Sequence, residues 1–131
     1  MKITIVTTPI RSAPTNYPPF GSLAIIQALR RIGEWALFFH IDFHRYSPAQ
    51  VEEYFSKNQF DVVGISSVVS TAYAYTRFLG KLIRRVSPKT VIIVGGNLAA
   101  SAEILLRKCD VDYCVTGDGE SRSSDVVTSA A

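Results

Sequence analysis

Apolar residues along this chain fall into short runs, separated by polar, proline-bearing or glycine-bearing stretches. The densest run is Thr90 to Asn97, TVIIVGGN, four consecutive large apolar residues leading into two glycines. A run with no polar face reads as a central parallel strand, buried on both sides. Gly95 and Gly96 then permit a turn with positive φ and a close backbone approach to a ligand, at the strand end where open α/β sheets place their sites. The same residues also suit a tight strand-to-helix turn that holds nothing.

Elsewhere the pattern alternates between the two periods. Lys2 to Thr7 is short and β-branched, which predicts a first strand ended by Pro9. The following stretch to Pro19 carries Pro9, Pro14, Pro18 and Pro19, longer and stiffer than an ordinary strand-to-helix connection. Ile25, Leu29 and Ile32, widened by Ile26, predict an amphipathic helix over Phe20 to Ile32 with Gly33 as its C-cap; Leu23 lies off that stripe. Trp35 to Phe43 reads as a second strand, with Phe39, Ile41 and Phe43 on one face and Phe38, His40 and Asp42 on the other. Ser47, Pro48 and Gln50 have the spacing of a capping box, opening a helix that buries Val51, Tyr54 and Phe55.

Phe60 to Ser66 is a third, largely apolar strand. Ser66, Ser67 and Ser70 follow it with small hydroxyls that suit either an oxygen-rich ligand or the cap of the next helix. Between Thr71 and Val86 the stripe Tyr75, Phe78, Leu79, Leu82, Ile83 and Val86 gives the clearest helix, with Arg84 and Arg85 at its negative end. A shorter helix over Ser101 to Lys108 and a fifth strand over Val111 to Thr116 complete the alternation, followed by the turn Gly117-Asp118-Gly119-Glu120. Five strands alternating with four helices predict a doubly wound, five-stranded parallel sheet in three αβα layers. The domain is expected over residues 1–120, with 121–131 a disordered tail or a remnant of truncation.

Composition narrows the picture. With 131 residues, 47% hydrophobic and 19% charged, the chain matches one globular domain. No apolar run has the length of a membrane span and the N-terminus lacks a signal-peptide pattern, so a cytoplasmic protein is expected. The formal charge of +3 comes from cations spread over helical stretches (Arg30, Arg31, Lys81, Arg84, Arg85, Arg107, Lys108), read as solvated faces and not as a nucleic-acid surface. Cys109 and Cys114 are neither a CxxC pair nor part of a ligand cluster, and are expected as buried thiols.

Several tenants of such a sheet are excluded by residue type. The chain has no G-x-x-x-x-G-K-S/T for nucleotide phosphates and no G-x-G-x-x-G after its first strand. A phosphoacceptor receiver needs acidic residues where Thr7, Thr8 and Ser66 stand. His40, Asp42 and His44 alternate as metal ligands on a strand could, but no fourth donor lies near them, so no protein-ligated metal and no catalytic residue is assigned.

The succession PPFGSLAIIQALRRIG, a strand ending near Asp42, FDVVGIS, VIIVGGN and DYCVTGDGE resembles the N-terminal cobalamin-binding domain of cobalamin-dependent radical S-adenosylmethionine enzymes. The similarity runs in order from about Met1 to Glu120. It implies a flavodoxin-like, Rossmann-like sheet holding a corrin at the carboxyl ends of its strands. The matching positions are Thr8 and Pro9 in the first loop, Ser66, Ser67 and Ser70, then Gly95, Gly96 and Asn97, and Gly117, Asp118, Gly119 and Glu120. Many relatives have Pro-His where this chain has Asn97-Leu98, and GEGE where it has Asp118. The family's catalytic half carries a C-x3-C-x2-C motif for an iron-sulfur cluster, which two cysteines cannot supply, so the chain looks like a fragment or a stand-alone module. The resemblance thus implies cobalamin as cofactor, with the iron-sulfur cluster, S-adenosylmethionine and the radical S-adenosylmethionine domain belonging to a parent protein. Metal binding enters only through the corrin's cobalt.

Methionine-synthase-type domains supply an axial histidine from D-x-H-x-x-G after the first strand, and that loop here has neither Asp nor His. Asp42-Phe43-His44-Arg45-Tyr46-Ser47 is a near miss after the second strand, so the resemblance implies no protein histidine on the cobalt. Two rivals remain. One is an α/β interaction or regulatory domain that binds no cofactor. The other, a flavin mononucleotide carrier, would want amide donors after the first strand that Pro9 and the later prolines remove. As this fragment the chain is expected to form a homo-oligomer, because no helix follows Glu120 to cover the sheet near its first and fifth strands.

Overall fold

The computed structural model describes residues 1–9, 20–66, 73–95 and 109–115. Its strands are β1 (Ile3–Thr7), β2 (Ala36–His40), β3 (Val62–Ser66), β4 (Val91–Gly95) and β5 (Tyr113–Val115), with helices α1 (Phe20–Arg31), α2 (Ile41–His44), α3 (Pro48–Asn58) and α4 (Tyr73–Val86). All strands are parallel, in the order β2-β1-β3-β4-β5, the doubly wound arrangement expected from the alternation. The predicted helix over 101–108 and the tail over 121–131 lie outside the described residues.

Strand position follows from how much of each strand is apolar. Every residue of β1 is buried, Thr4 included, because its hydroxyl is bonded to the Tyr54 hydroxyl at 2.8 Å and to the Leu37 carbonyl at 3.3 Å. The described part of that run, Val91–Gly95, lies inside the sheet but one place from its edge; the middle belongs to β3. There Gly64 makes room for a neighbour, since a Cβ on it would lie 2.9 Å from Ile5 Cδ1.

Two cores sandwich the sheet. Ile26 and Leu29 of α1 pack with Ile3, Ile5, Val62 and Ile93 on one face. Val51 and Phe55 of α3 and Leu79, Leu82 and Ile83 of α4 pack with Val6, Val63, Ile65, Ile92 and Val94 on the other. Cys109 and Cys114 are free and join this second core, where burial pushes both thiols above their usual range. The helix ends match their signals. Ser47 and Gln50 form the reciprocal capping box, and Gly33 has φ 86° where Glu34 N–H returns to the Leu29 carbonyl at 3.0 Å.

Three expectations change. Ile32 is 49% exposed, because α1 ends at Arg31 and the glycine turn carries Ile32 off the buried stripe. The second strand stops at His40 instead of Phe43: beyond the Thr7–His40 pairing it has no neighbour, so the chain satisfies its backbone by winding into α2. The Asp42 N–H bonds Thr7 Oγ1 at 3.1 Å, and the Arg45 guanidinium bonds the Asp42 carbonyl at 2.7 Å and its carboxylate at 3.1 Å. Asp42 is thereby buried beside Ile41 while Phe43 is turned out, which breaks the predicted alternation. Arg84 is more than a solvated cation. Its guanidinium donates to the carbonyls of Pro88, Thr90 and Asp110 and to the Asp112 carboxylate.

Candidate functional site

Parallel register brings the last residue of every strand onto one row. Thr7 pairs with His40 on one side and Ser66 on the other, Ser66 with Gly95, and Gly95 with Val115. At about 4.8 Å between strands this row is a nearly straight floor at the carboxyl edge of the sheet. The chain reverses its direction of travel between β1 and β3, the switch point at which doubly wound sheets open a crevice.

Four predicted site residues, Thr8, Pro9, Ser66 and Gly95, stand at this edge. Ser66 and Gly95 are half-buried and adjacent, so the centre of the floor carries one small hydroxyl and one residue without a side chain. Thr8 is buried, and its hydroxyl donates to the Ser66 carbonyl at 3.0 Å, tying β1 to β3 where they end. Its proton is therefore spent within the sheet, and only its lone pairs remain for a ligand. Ser67, Ser70, Gly96, Asn97, Gly117, Asp118, Gly119 and Glu120 lie outside the described residues.

The β2 end of the floor holds Thr7 and His40, which are absent from the cofactor-binding set expected from the sequence. Thr7 Oγ1 lies 2.8 Å from His40 Nδ1 and accepts from Asp42 N–H, linking the ends of β1 and β2 with the start of α2. The His40 ring stacks on Phe38 at 5.0 Å and Phe43 at 5.8 Å and meets His44 edge-on at 6.4 Å. Partial burial lowers the His40 pKa; Asp42 pulls it back up and His44 pushes it down further, and the net shift is downward, which favours the neutral ring. Thr7 could have been found from its place on a strand end beside a histidine, but only once the register was known.

Among the described residues no three His, Cys, Asp or Glu side chains gather as metal ligands. The near-miss residues Asp42 and His44 sit at the β2 edge, Asp42 engaged by Arg45 and His44 against Phe43 and Tyr46. The described floor thus offers small side chains, hydroxyls and backbone, with its one carboxylate already paired. That donor set fits a broad, uncharged, amide-edged group better than a compact anion or a bare metal ion, and it suits a corrin.

A doubly wound sheet with an uncharged floor at its switch point places the chain among flavodoxin-like α/β folds, in which that crevice is where ligands are held. A family model described as B12 binding domain matches residues 6–127, continuing past residue 120 into the stretch expected as a tail. The chain belongs to the B12-binding domain family, and cobalamin is the cofactor that this membership assigns to it.

Solved structures agree in fold. The radical S-adenosylmethionine methyltransferase TsrM from Kitasatospora setae, with tryptophan substrate and an S-adenosylmethionine analogue bound, superposes with a TM-score of 0.82 at 19% identity over 98% of this chain and 25% of its own. The cobalamin-dependent S-adenosylmethionine radical enzyme OxsB, with aqua-cobalamin and S-adenosylmethionine bound, gives 0.75 at 13% identity over 99% of this chain and 19% of its own. The Methanosarcina barkeri monomethylamine corrinoid protein gives 0.73 at 12% identity, over 99% of this chain and 58% of its own. This chain therefore spans a quarter or less of the two enzymes and under two thirds of the corrinoid protein. A search of curated proteins finds no match. Among the described residues no helix is long and apolar enough to cross a membrane.

Proposed function

We propose that this chain is the cobalamin-holding module of a radical S-adenosylmethionine enzyme, and that it presents the corrin to a catalytic half outside this sequence. The observation that carries the reading is the common end row of the strands, with Ser66 and Gly95 forming a small, uncharged centre at the switch point. Bound there, cobalamin would supply the group-transfer chemistry of its cobalt. The residues of this chain bind and orient it. Ser66, with Thr8 holding the β1 and β3 ends together, and Gly95 would form the described part of the floor. Pro9, Ser67, Ser70, Gly96, Asn97 and the turn from Gly117 to Glu120 complete the proposed contact set, and a cytoplasmic location accompanies the reading.

Hydroxocobalamin added to the protein should co-elute with it in gel filtration, seen in the visible spectrum. Gly96→Val should keep the circular dichroism of the wild type and lose that co-elution. Retention at wild-type level by the variant would remove the glycine turn from the site. Co-elution of flavin mononucleotide instead, or of neither cofactor, would favour the flavin carrier or the cofactor-free interaction domain.

The isolated chain is also expected to self-associate. Leu37 on the β2 edge and Tyr113 on the β5 edge are about half exposed, leaving apolar surface at both sides of the sheet. Sedimentation velocity should give a dimer or larger species; a monomer at high concentration rejects this expectation.

A further inference from the structure

We infer that His40 is a cobalamin-contacting residue, donating a hydrogen bond from Nε2–H to an oxygen acceptor of the bound cofactor at the β2 side of the floor. The inference rests on the cobalamin reading above and adds a residue outside the contact set proposed there.

The tautomer follows from counting protons. Thr7 is buried, and its hydroxyl oxygen accepts the Asp42 N–H at 3.1 Å. The only other side-chain partner of that hydroxyl among the described residues is His40 Nδ1 at 2.8 Å. Were Nδ1 the donor, the Thr7 oxygen would accept twice and its own buried proton would have no acceptor, which a buried hydroxyl avoids. The hydroxyl therefore donates to Nδ1, and the neutral ring carries its proton on Nε2. Burial favours that neutral state.

Position supplies the second half of the argument. His40 occupies the same end row as Thr7, Ser66 and Gly95, so its Cα lies two strand spacings, roughly 10 Å, from that of Ser66. A corrin centred over β3 and β4 reaches such a position with its side-chain amides or its nucleotide, not with its metal. Stacking on Phe38 and Phe43 and the bond to Thr7 hold the half-buried ring, and Nε2 has no protein partner among the described residues. A fixed donor with its proton directed by the protein binds without the cost of ordering a mobile side chain. The same tautomer bars Nε2 from coordinating cobalt, because its lone pair is used by the proton.

The test measures the dissociation constant of hydroxocobalamin for the full chain and its variants by visible absorbance. His40→Phe keeps a stacking ring but removes both nitrogens, and should bind about 3- to 10-fold more weakly, the worth of one hydrogen bond. His40→Gln can accept from Thr7 and donate outward, and should recover most of that loss. His44→Ala should leave the affinity and the spectrum unchanged. Cobinamide, which lacks the nucleotide, separates the two acceptor sources. A His40→Phe penalty that persists with cobinamide places the acceptor among the corrin amides, and one that disappears places it on the nucleotide.

Equal affinity of wild type and a folded His40→Phe overturns the inference while leaving the cobalamin reading intact; failure of the wild type to bind overturns both. If His40→Phe does not fold, ring 15N shifts of the wild type decide the matter. The Nε2–H tautomer should be present in the free protein, with the Nε2 resonance shifting on addition of hydroxocobalamin. An Nδ1–H tautomer, or an unmoved resonance, overturns the inference.

Discussion

Gly80→Ala should destabilise the fold by about 2 kcal/mol or more, although alanine is the better helix former. Exchanging glycine for alanine inside a helix gains about 1 kcal/mol of propensity. At Gly80, buried in α4, the added methyl would overlap the carbonyl group of Cys109. That neighbour is backbone, so it cannot rotate aside as a side-chain tip would. It also adjoins Asp110, whose φ of 56° already fixes the local path of the chain. Overpacking, with the side-chain and backbone shifts it forces, costs about 1–3 kcal/mol and occasionally more, and overlap with a backbone carbonyl puts Gly80 at the top of that range or above it. The steric loss therefore exceeds the propensity gain, and Tm should fall by roughly 6–10 °C for a chain of this size. A Tm at or above that of the wild type would show that α4 and the Cys109 turn can separate without penalty.

Arg84→Met should cost about 2–3 kcal/mol. Methionine keeps much of the aliphatic stem and removes the guanidinium. Four bonds go with it: to the carbonyls of Pro88 at 3.0 Å, Thr90 at 3.0 Å and Asp110 at 2.9 Å, and to Asp112 Oδ2 at 2.8 Å. Their simple sum would be larger, but the Arg84 side chain is 31% exposed, so water can reach some of the released carbonyls. Asp112 Oδ2 also accepts Ile92 N–H at 2.8 Å, so one guanidinium and one carboxylate join the end of α4 to the starts of β4 and β5. Because three of the four acceptors are neutral, 1 M salt should reduce the effect only slightly. A change in denaturant midpoint equivalent to less than 0.5 kcal/mol on the stability scale, roughly the noise of a surface substitution, would reduce Arg84 to a solvated cation. The exposed Lys57–Glu53 pair, by contrast, has no such network around it.

Features decided within a few residues were legible in the sequence. The capping box at Ser47 and Gln50, the glycine turn at Gly33 and the buried stripe of α4 each follow from spacing alone, and the structure has all three. The strand alternation likewise foretold the doubly wound sheet. What escaped depends on partners distant in sequence. Residues 41–43 alternate as a strand should, yet they coil because β1 ends opposite His40 and a Thr7 hydroxyl 35 positions away receives the Asp42 amide. Arg84 looks like any cation near a helix C-terminus until the turns at Pro88 and Asp110 are brought beside it. At the described floor, Ser66 and Gly95 could be anticipated from the sequence as residues where apolar strands end. Thr7 and His40 acquire meaning only through a register that no local pattern encodes.

The order β2-β1-β3 has a kinetic side. Thr7 and His40 are 33 residues apart, but the other flank of β1 waits for a strand that begins at Val62, and its first tie, Lys2 N–H to Asp61 Oδ2 at 2.7 Å, spans 59 residues. During synthesis, Ile3 to Thr7 can pair with β2 while its second ladder and much of its apolar surface stay open until β3 leaves the ribosome. The nascent chain thus passes through a stage with a short but hydrophobic unpaired strand edge, the kind of template on which chains join one another. Pairing with residues 61–66 closes that edge and passes the exposure to the free side of β3, which waits in turn for β4, so the open edge travels across the sheet as the chain lengthens.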